Sequence, residues 1–137
     1  QQLVVGCDTI ILFNNKILDK AQDLNSAQKK LKKLSGKEHK IISALSIYQN
    51  KKQIWSCIQT SKVKIRKLST KNINHYISVC GEEIIKSAGC YQIESCGPII
   101  IENIKGDFFN VMGFPLFPFL LFLKKFNIKK WAKKKPM

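Results

Sequence analysis

The spacing of apolar positions changes along the chain, and each change marks an element. Leu3 to Phe13 is apolar and β-branched apart from Gly6, Cys7, Asp8 and Thr9. It therefore reads as two short buried strands or one bent strand, with an acid in the middle. After the turn Asn14-Asn15, the residues Leu24, Ala27, Leu31 and Leu34 recur at helical spacing with lysines on the other face, and Gly36 supplies a stop. Lys40 to Gln49 and Gln53 to Ile65 are rich in β-branched and aromatic residues and hinge at Asn50-Lys51-Lys52, which predicts a hairpin. Ser69 is placed to cap a second helix carrying Ile73, Tyr76 and Ile77 and ended by Gly81. Beyond it follow a short helical stretch from Glu82 to Lys86, a loop from Ala88 to Pro98 and a strand from Ile99 to Ile104. Gly106-Asp107 breaks that strand, and Phe108 to Met112 forms a turn or short helix. Pro115 opens the last helix. The pattern predicts one α/β domain with a mixed sheet.

Composition supports a folded domain, with 45% hydrophobic and 24% charged residues in 137 positions. The apolar stretch Phe114 to Leu123 is too short to span a bilayer, contains Pro115 and Pro118, and reads as a buried helix. The tail from Lys124 to Met137 holds seven lysines and is expected to fray; the domain proper is expected to occupy residues 1–126, with 127–137 as the basic tail. The net charge of +15 invites a nucleic-acid reading. Against it, Arg66 is the one arginine among 24 basic residues, whereas nucleic-acid surfaces favour arginine for its planar fork. Abundant lysine, isoleucine and asparagine are what an AT-rich coding sequence yields without selection for binding. Cys7, Cys57, Cys80, Cys90 and Cys96 form no CxxC pair and have no histidine cluster nearby. They read as reduced cytosolic thiols, mostly small core residues, rather than a zinc site or disulfide framework. No basic, then apolar, leader opens the sequence, and Gln1 runs directly into Leu3-Val4-Val5, which reads as a cut chain.

Three positions could carry chemistry. Asp8 in a strand is an expensive placement for a charge unless it binds a metal, takes a proton or is paired, although a turn-capping acid would look the same. Lys20 follows a strand and turn closely enough to reach an anion over the sheet edge; in a lysine-rich chain the solvated alternative competes. Glu94 lies in a loop whose Gly89 lets backbone approach a ligand, or it is simply an exposed loop acid.

Taken together and in order, Gly6-Cys7-Asp8-Thr9, Asp19-Lys20-Ala21, Leu34-Ser35-Gly36-Lys37-Glu38-His39, Arg66-Lys67-Leu68-Ser69, Ala88-Gly89-Cys90-Tyr91 and Gly106-Asp107-Phe108 with Gly113-Phe114-Pro115-Leu116 resemble the Maf family of nucleoside triphosphate pyrophosphatases, also called septum formation inhibitors. Gly6-Cys7-Asp8-Thr9 is similar to the family's Gly-Ala-Asp-Thr, and Asp19-Lys20-Ala21 to its Gly-Lys-Pro. Leu34-Ser35-Gly36-Lys37-Glu38-His39 resembles Leu-Ser-Gly-x-x-His, and Arg66-Lys67-Leu68-Ser69 resembles Arg-x-Leu-Ser. Ala88-Gly89-Cys90-Tyr91 resembles Ala-Gly-x-Tyr and continues as Gln92-Ile93-Glu94. Gly106-Asp107-Phe108 with Gly113-Phe114-Pro115-Leu116 resembles Gly-Asp-Tyr followed by Gly-Leu-Pro-Leu.

The resemblance implies a single α/β domain with a mixed, twisted sheet flanked by helices, of the Maf and inosine triphosphatase kind. It also implies that the family's first strand and Ser-x-Ser-x-Arg-Arg phosphate loop are absent, leaving unpaired backbone beside Leu3 to Val5, marginal stability and poor activity. Asp19 in place of glycine would blunt the charge of Lys20. The implied activity is hydrolysis of ordinary pyrimidine or modified nucleoside triphosphates to monophosphate and pyrophosphate. The resemblance makes Asp8, Lys20 and Glu94 catalytic and Thr9, Tyr91 and Gln92 substrate-binding. It makes Asp8 and Glu94 ligands of magnesium or manganese, which suit oxygen donors better than zinc does. It further implies a cytoplasmic protein with no membrane span and no nucleic-acid partner, and leaves a homodimer open. The competing readings are a non-catalytic nucleotide-binding regulator of septum formation, an inactive fragment, and a basic nucleic-acid-binding module.

Overall fold

A computed structural model describes residues 2–126; the predicted fraying of the basic tail over 127–137 falls outside those residues. Strands β1 (Leu3–Phe13), β2 (Lys16–Ile17), β3 (Glu38–Gln49), β4 (Lys52–Ile65) and β5 (Ile101–Lys105) form one sheet in the order β2-β1-β3-β4-β5. Helices α1 (Leu24–Leu34), α2 (Thr70–Cys80), α3 (Phe108–Met112) and α4 (Leu116–Phe126) accompany it, with short 3-10 segments at Gly81–Lys86 and Gly97–Ile99. The expected α/β domain is present, but every ladder is antiparallel rather than mixed. The chain reverses between β1 and β3 through β2 and α1, and again between β4 and β5 through α2, so no two neighbouring strands run the same way.

Local chemistry explains the boundaries. Asn14 and Asn15 join β1 to β2, and Asn50 and Lys51 join β3 to β4, all four with φ between 51° and 63°. Two consecutive left-handed residues are what a tight hairpin turn requires, and asparagine tolerates that region. Asp23 starts α1 by accepting from the Ser26 N–H at 2.7 Å. Ser69 and Asn72 form a reciprocal capping box at the start of α2.

Odd-numbered residues of β1 and β3, and of β4 from Trp55 onward, share the face that the helices cover. Over one half, α1 and α2 pack Ala27, Leu31, Leu34, Ile73 and Tyr76 onto Ile11, Phe13, Ile41, Val63 and Ile65. Over the other half, α3 is pinned by Asn110, whose buried amide nitrogen lies 3.2 Å from the Ile41 and Gln59 carbonyls and the Ser61 hydroxyl. The Trp55 and Phe122 rings, 5.1 Å apart, seat α4.

Three expectations change here. β1 is one continuous strand, buried at Ile11 and Phe13 but exposed over its first half, with Val4 62% exposed. α4 is not a buried helix: it lies at the margin, and Phe117, Leu120, Leu121 and Phe126 are exposed. Cys80 and Cys96, read as separate reduced thiols, are paired, while of the free cysteines Cys7 is exposed, Cys57 half-buried and Cys90 buried. Their separation of 16 residues carries no sequence signature; folding brings the end of α2 against the segment before Gly97.

Candidate functional site

A cleft of about 320 Å³ opens on the helix-covered side of the sheet, between the β1–β2 edge, the 86–94 segment and the end of α3. Its lining is apolar at Ile10, Ile17, Leu18, Ile93, Val111 and Met112, and carries three charged side chains, Lys20, Lys86 and Glu94. Thr9, Lys20, Tyr91, Gln92 and Glu94, all proposed from sequence, line it together. Asp8 does not. In a strand, successive side chains point to opposite faces, and Cys7 and Thr9 both reach the Gly113 carbonyl on the covered side. Asp8 therefore faces the open side, opposite Ala44 in register, in a row that ends at Ile58, which is 73% exposed. Its charge is exposed, so the desolvation that would have made a strand acid costly is absent.

The floor of the cleft is held by hydroxyls. Thr9 Oγ1 donates to the Gly113 carbonyl at 3.2 Å and lies 2.9 Å from Ser43 Oγ, which is left to donate to it. Gly113 ends α3 with φ +113°, a left-handed conformation that disfavours a side chain.

The loop that supplies Tyr91, Gln92 and Glu94 is anchored from beneath. Tyr76 Oη donates to the Cys90 carbonyl at 2.7 Å, and Tyr91 Oη lies 2.7 Å from His39 Nε2, both contacts being buried. Burial pulls the His39 imidazole down to about 4 and pushes both tyrosine hydroxyls well above their usual range, so all three are neutral near neutrality. Burial also raises the Cys90 thiol to about 11 despite the nearby Lys30 charge. A protonated, buried thiol makes a poor nucleophile, and the sequence reading of a packing cysteine holds for Cys90. The loop then closes on itself through Gly97, whose N–H donates to the Gln92 carbonyl at 2.8 Å. A Cβ on Gly97 would meet that same carbonyl oxygen at 2.7 Å, so only glycine lets the turn close.

Two lysines were not singled out from sequence. Lys30 Nζ donates to the Asp19 carbonyl and, at 3.1 Å, to the Ala88 carbonyl, tying the Lys20 segment to the loop. Lys86 lines the cleft and pairs with Glu83 at 2.9 Å. Lys30 lies in a lysine-rich amphipathic helix where solvation is the default reading, and its role depends on carbonyls 11 and 58 residues away.

For a metal, the donor set is sparse. Among the described residues no group of three histidine, cysteine or acidic side chains converges, and Asp8 and Glu94 are separated by the sheet. A divalent ion in the cleft would meet one carboxylate, Glu94, and would need its other oxygen donors from a ligand or water.

Residues 1–126 match the family profile described as "Maf-like protein". The 7-methyl-GTP pyrophosphatase of Bartonella henselae is 36% identical over 128 residues, covering 93% of this chain and 65% of the relative. The nucleoside triphosphate pyrophosphatase of Caulobacter vibrioides is 34% identical over 122 residues, covering 89% and 61%. The dTTP/UTP pyrophosphatase of Clostridium botulinum is 42% identical over 115 residues, covering 83% and 58%. The chain thus spans slightly less than two thirds of the length of these curated relatives.

Proposed function

The chain belongs to the Maf-like family, and from that premise we propose that it takes part in hydrolysis of nucleoside triphosphates to the monophosphate and pyrophosphate. The observation that supports this most is the convergence of Thr9, Lys20, Tyr91, Gln92 and Glu94, drawn from separate segments, on one cleft. In the reaction a water oxygen bonds to the α-phosphorus, the bond from that phosphorus to the bridging oxygen breaks, and pyrophosphate leaves. The water's proton passes to a base. Negative charge builds on the leaving group, so cations and hydrogen-bond donors must already stand in place.

Lys20 is the natural partner for the phosphates, and Thr9 and Gln92 flank it as polar contacts. The apolar wall of Ile17, Leu18, Val111 and Met112 suits the face of a nucleobase. Glu94 would hold magnesium or manganese together with phosphate oxygens, the ion supplying charge neutralisation when bound. Asp8 is the acid we assign to the water; its side chain stands on the open face of β1, so the role requires that face to form part of the working site. The relatives' names cover both a methylated guanine nucleotide and pyrimidine nucleotides, and the substrate base is left at that breadth. No helix among the described residues is long and apolar enough to cross a membrane; what supports a cytoplasmic location is the nucleotide pool on which the proposed activity would act.

The test is release of pyrophosphate from a panel of ordinary and methylated nucleoside triphosphates with manganese. Turnover that is lost in both Asp8→Asn and Glu94→Gln supports the proposal. Tight nucleotide binding without product from any member would instead favour the regulatory reading.

A further inference from the structure

Among the described residues, the charged lining of the cleft consists of Lys20, Lys86 and Glu94. A triphosphate brings several negative charges, and Lys20 with Glu94 contributes no net positive charge to meet them. Lys86 makes that lining net positive by one charge. It ends the 3-10 segment Gly81–Lys86 and enters the cleft wall together with Ser87 and Ala88. Its ammonium rests 2.9 Å from Glu83 Oε1, one turn earlier in the same segment. Both side chains are about two-thirds exposed, at 65% and 64%. An exposed pair of this type shifts an equilibrium by no more than about fivefold, so a phosphate can displace the carboxylate at little cost. Lys30, by contrast, is committed to the Asp19 and Ala88 carbonyls.

Glu83 has a second tie to the same wall, because its backbone carbonyl accepts from Gln92 Nε2 at 3.1 Å. One residue thus holds two cleft side chains, Lys86 through its carboxylate and Gln92 through its carbonyl. We propose that Lys86 is a second phosphate-contacting cation of this site and that Glu83 is its displaceable counter-ion, parking the ammonium at the cleft rim until a polyphosphate takes it over. The inference rests on the triphosphate reading above and adds a residue to it.

The experiment measures binding of inorganic tripolyphosphate by calorimetry and turnover of nucleoside triphosphate, in the wild-type chain, Lys86→Met, Glu83→Gln and the double variant. All these side chains are exposed, and a thermal melt confirms that each variant folds. Lys86→Met should weaken tripolyphosphate binding by about tenfold or more, the scale of one charge-assisted hydrogen bond, and raise KM by a similar factor with a smaller change in kcat. Glu83→Gln keeps the backbone contact to Gln92 but removes the competing carboxylate, and should tighten binding by up to about fivefold. In the double variant that gain should vanish, because there is no ammonium left to release. Wild-type turnover with Lys86→Met within twofold in binding and KM overturns this inference alone. Tightening by Glu83→Gln that persists without Lys86 also overturns it, since the effect would then be general charge. Neither binding nor turnover in the wild type overturns the triphosphate reading and this inference with it.

Discussion

Replacing His39 with glutamine isolates the buried hydrogen bond that carries the cleft loop. His39 is 1% exposed, its Nε2 is 2.7 Å from Tyr91 Oη, and its Nδ1 has no partner. Burial lowers its pKa from 6.5 to about 4. Between those values the unfolded chain binds a proton that the folded chain does not, so stability falls as the pH falls through this window. The full drop from 6.5 to about 4 corresponds to about 3 kcal/mol, of which about 2 kcal/mol is lost between pH 7 and pH 5. Asp23 works in the same sense but in a lower pH window. Its carboxylate is held below the usual 3.8, chiefly by the Ser26 backbone N–H, and it loses its contribution only as the pH falls below that range. Urea unfolding of the wild-type chain at pH 7, 6 and 5 should therefore show an acid slope. A glutamine side chain cannot titrate there but can still donate to Tyr91, so His39→Gln should cost about 1 kcal/mol at pH 7 and be nearly flat toward pH 5. Tyr91→Phe strips the remaining partner from the imidazole and should cost about 1–3 kcal/mol at pH 7. Parallel pH curves for wild type and His39→Gln would refute the assignment of the slope to this residue.

Asn110→Ala removes the amide that holds α3 to two carbonyls and a hydroxyl, leaving those groups bare, and should lower unfolding free energy by about 2–3 kcal/mol in denaturant titration. Cys80→Ser opens a loop of 16 residues and should cost about 3 kcal/mol under oxidising conditions, with the difference disappearing once wild type is reduced; equal melting points without reductant would contradict the pairing.

Much of the architecture was legible because local chemistry and global fold agree. The asparagine turns, the Ser69 cap and the period of Leu24, Ala27, Leu31 and Leu34 each name an element without knowledge of the rest, and each element is there. The antiparallel sheet was harder to read, because pairing direction depends on how connections return rather than on any strand's own residues. α4 misled for a related reason: a run such as Phe114 to Leu123 reports hydrophobicity but not whether a surface lies above it, and three of its large apolar side chains, Phe117, Leu120 and Leu121, are exposed.

Among the candidate site residues, Thr9, Lys20 and Glu94 gained meaning from the order of their motifs, since each alone resembles a surface residue. What no linear reading supplied was the supporting layer. His39 under Tyr91, Lys30 bridging Asp19 to Ala88, and Cys80 against Cys96 are contacts between segments 11 to 58 residues apart. The facing of Asp8 follows from strand parity, but only once the contacts of Cys7 and Thr9 identify the covered side.

Attack of water at the α-phosphorus, on which the proposed function turns, is tested most directly by the fate of the water oxygen. The chain is incubated with a nucleoside triphosphate in water enriched in heavy oxygen, and the products are separated and weighed by mass spectrometry. Label is expected in the nucleoside monophosphate and none in pyrophosphate, however slow the turnover. Label in orthophosphate with a nucleoside diphosphate beside it, or no product above a protein-free blank, would contradict it.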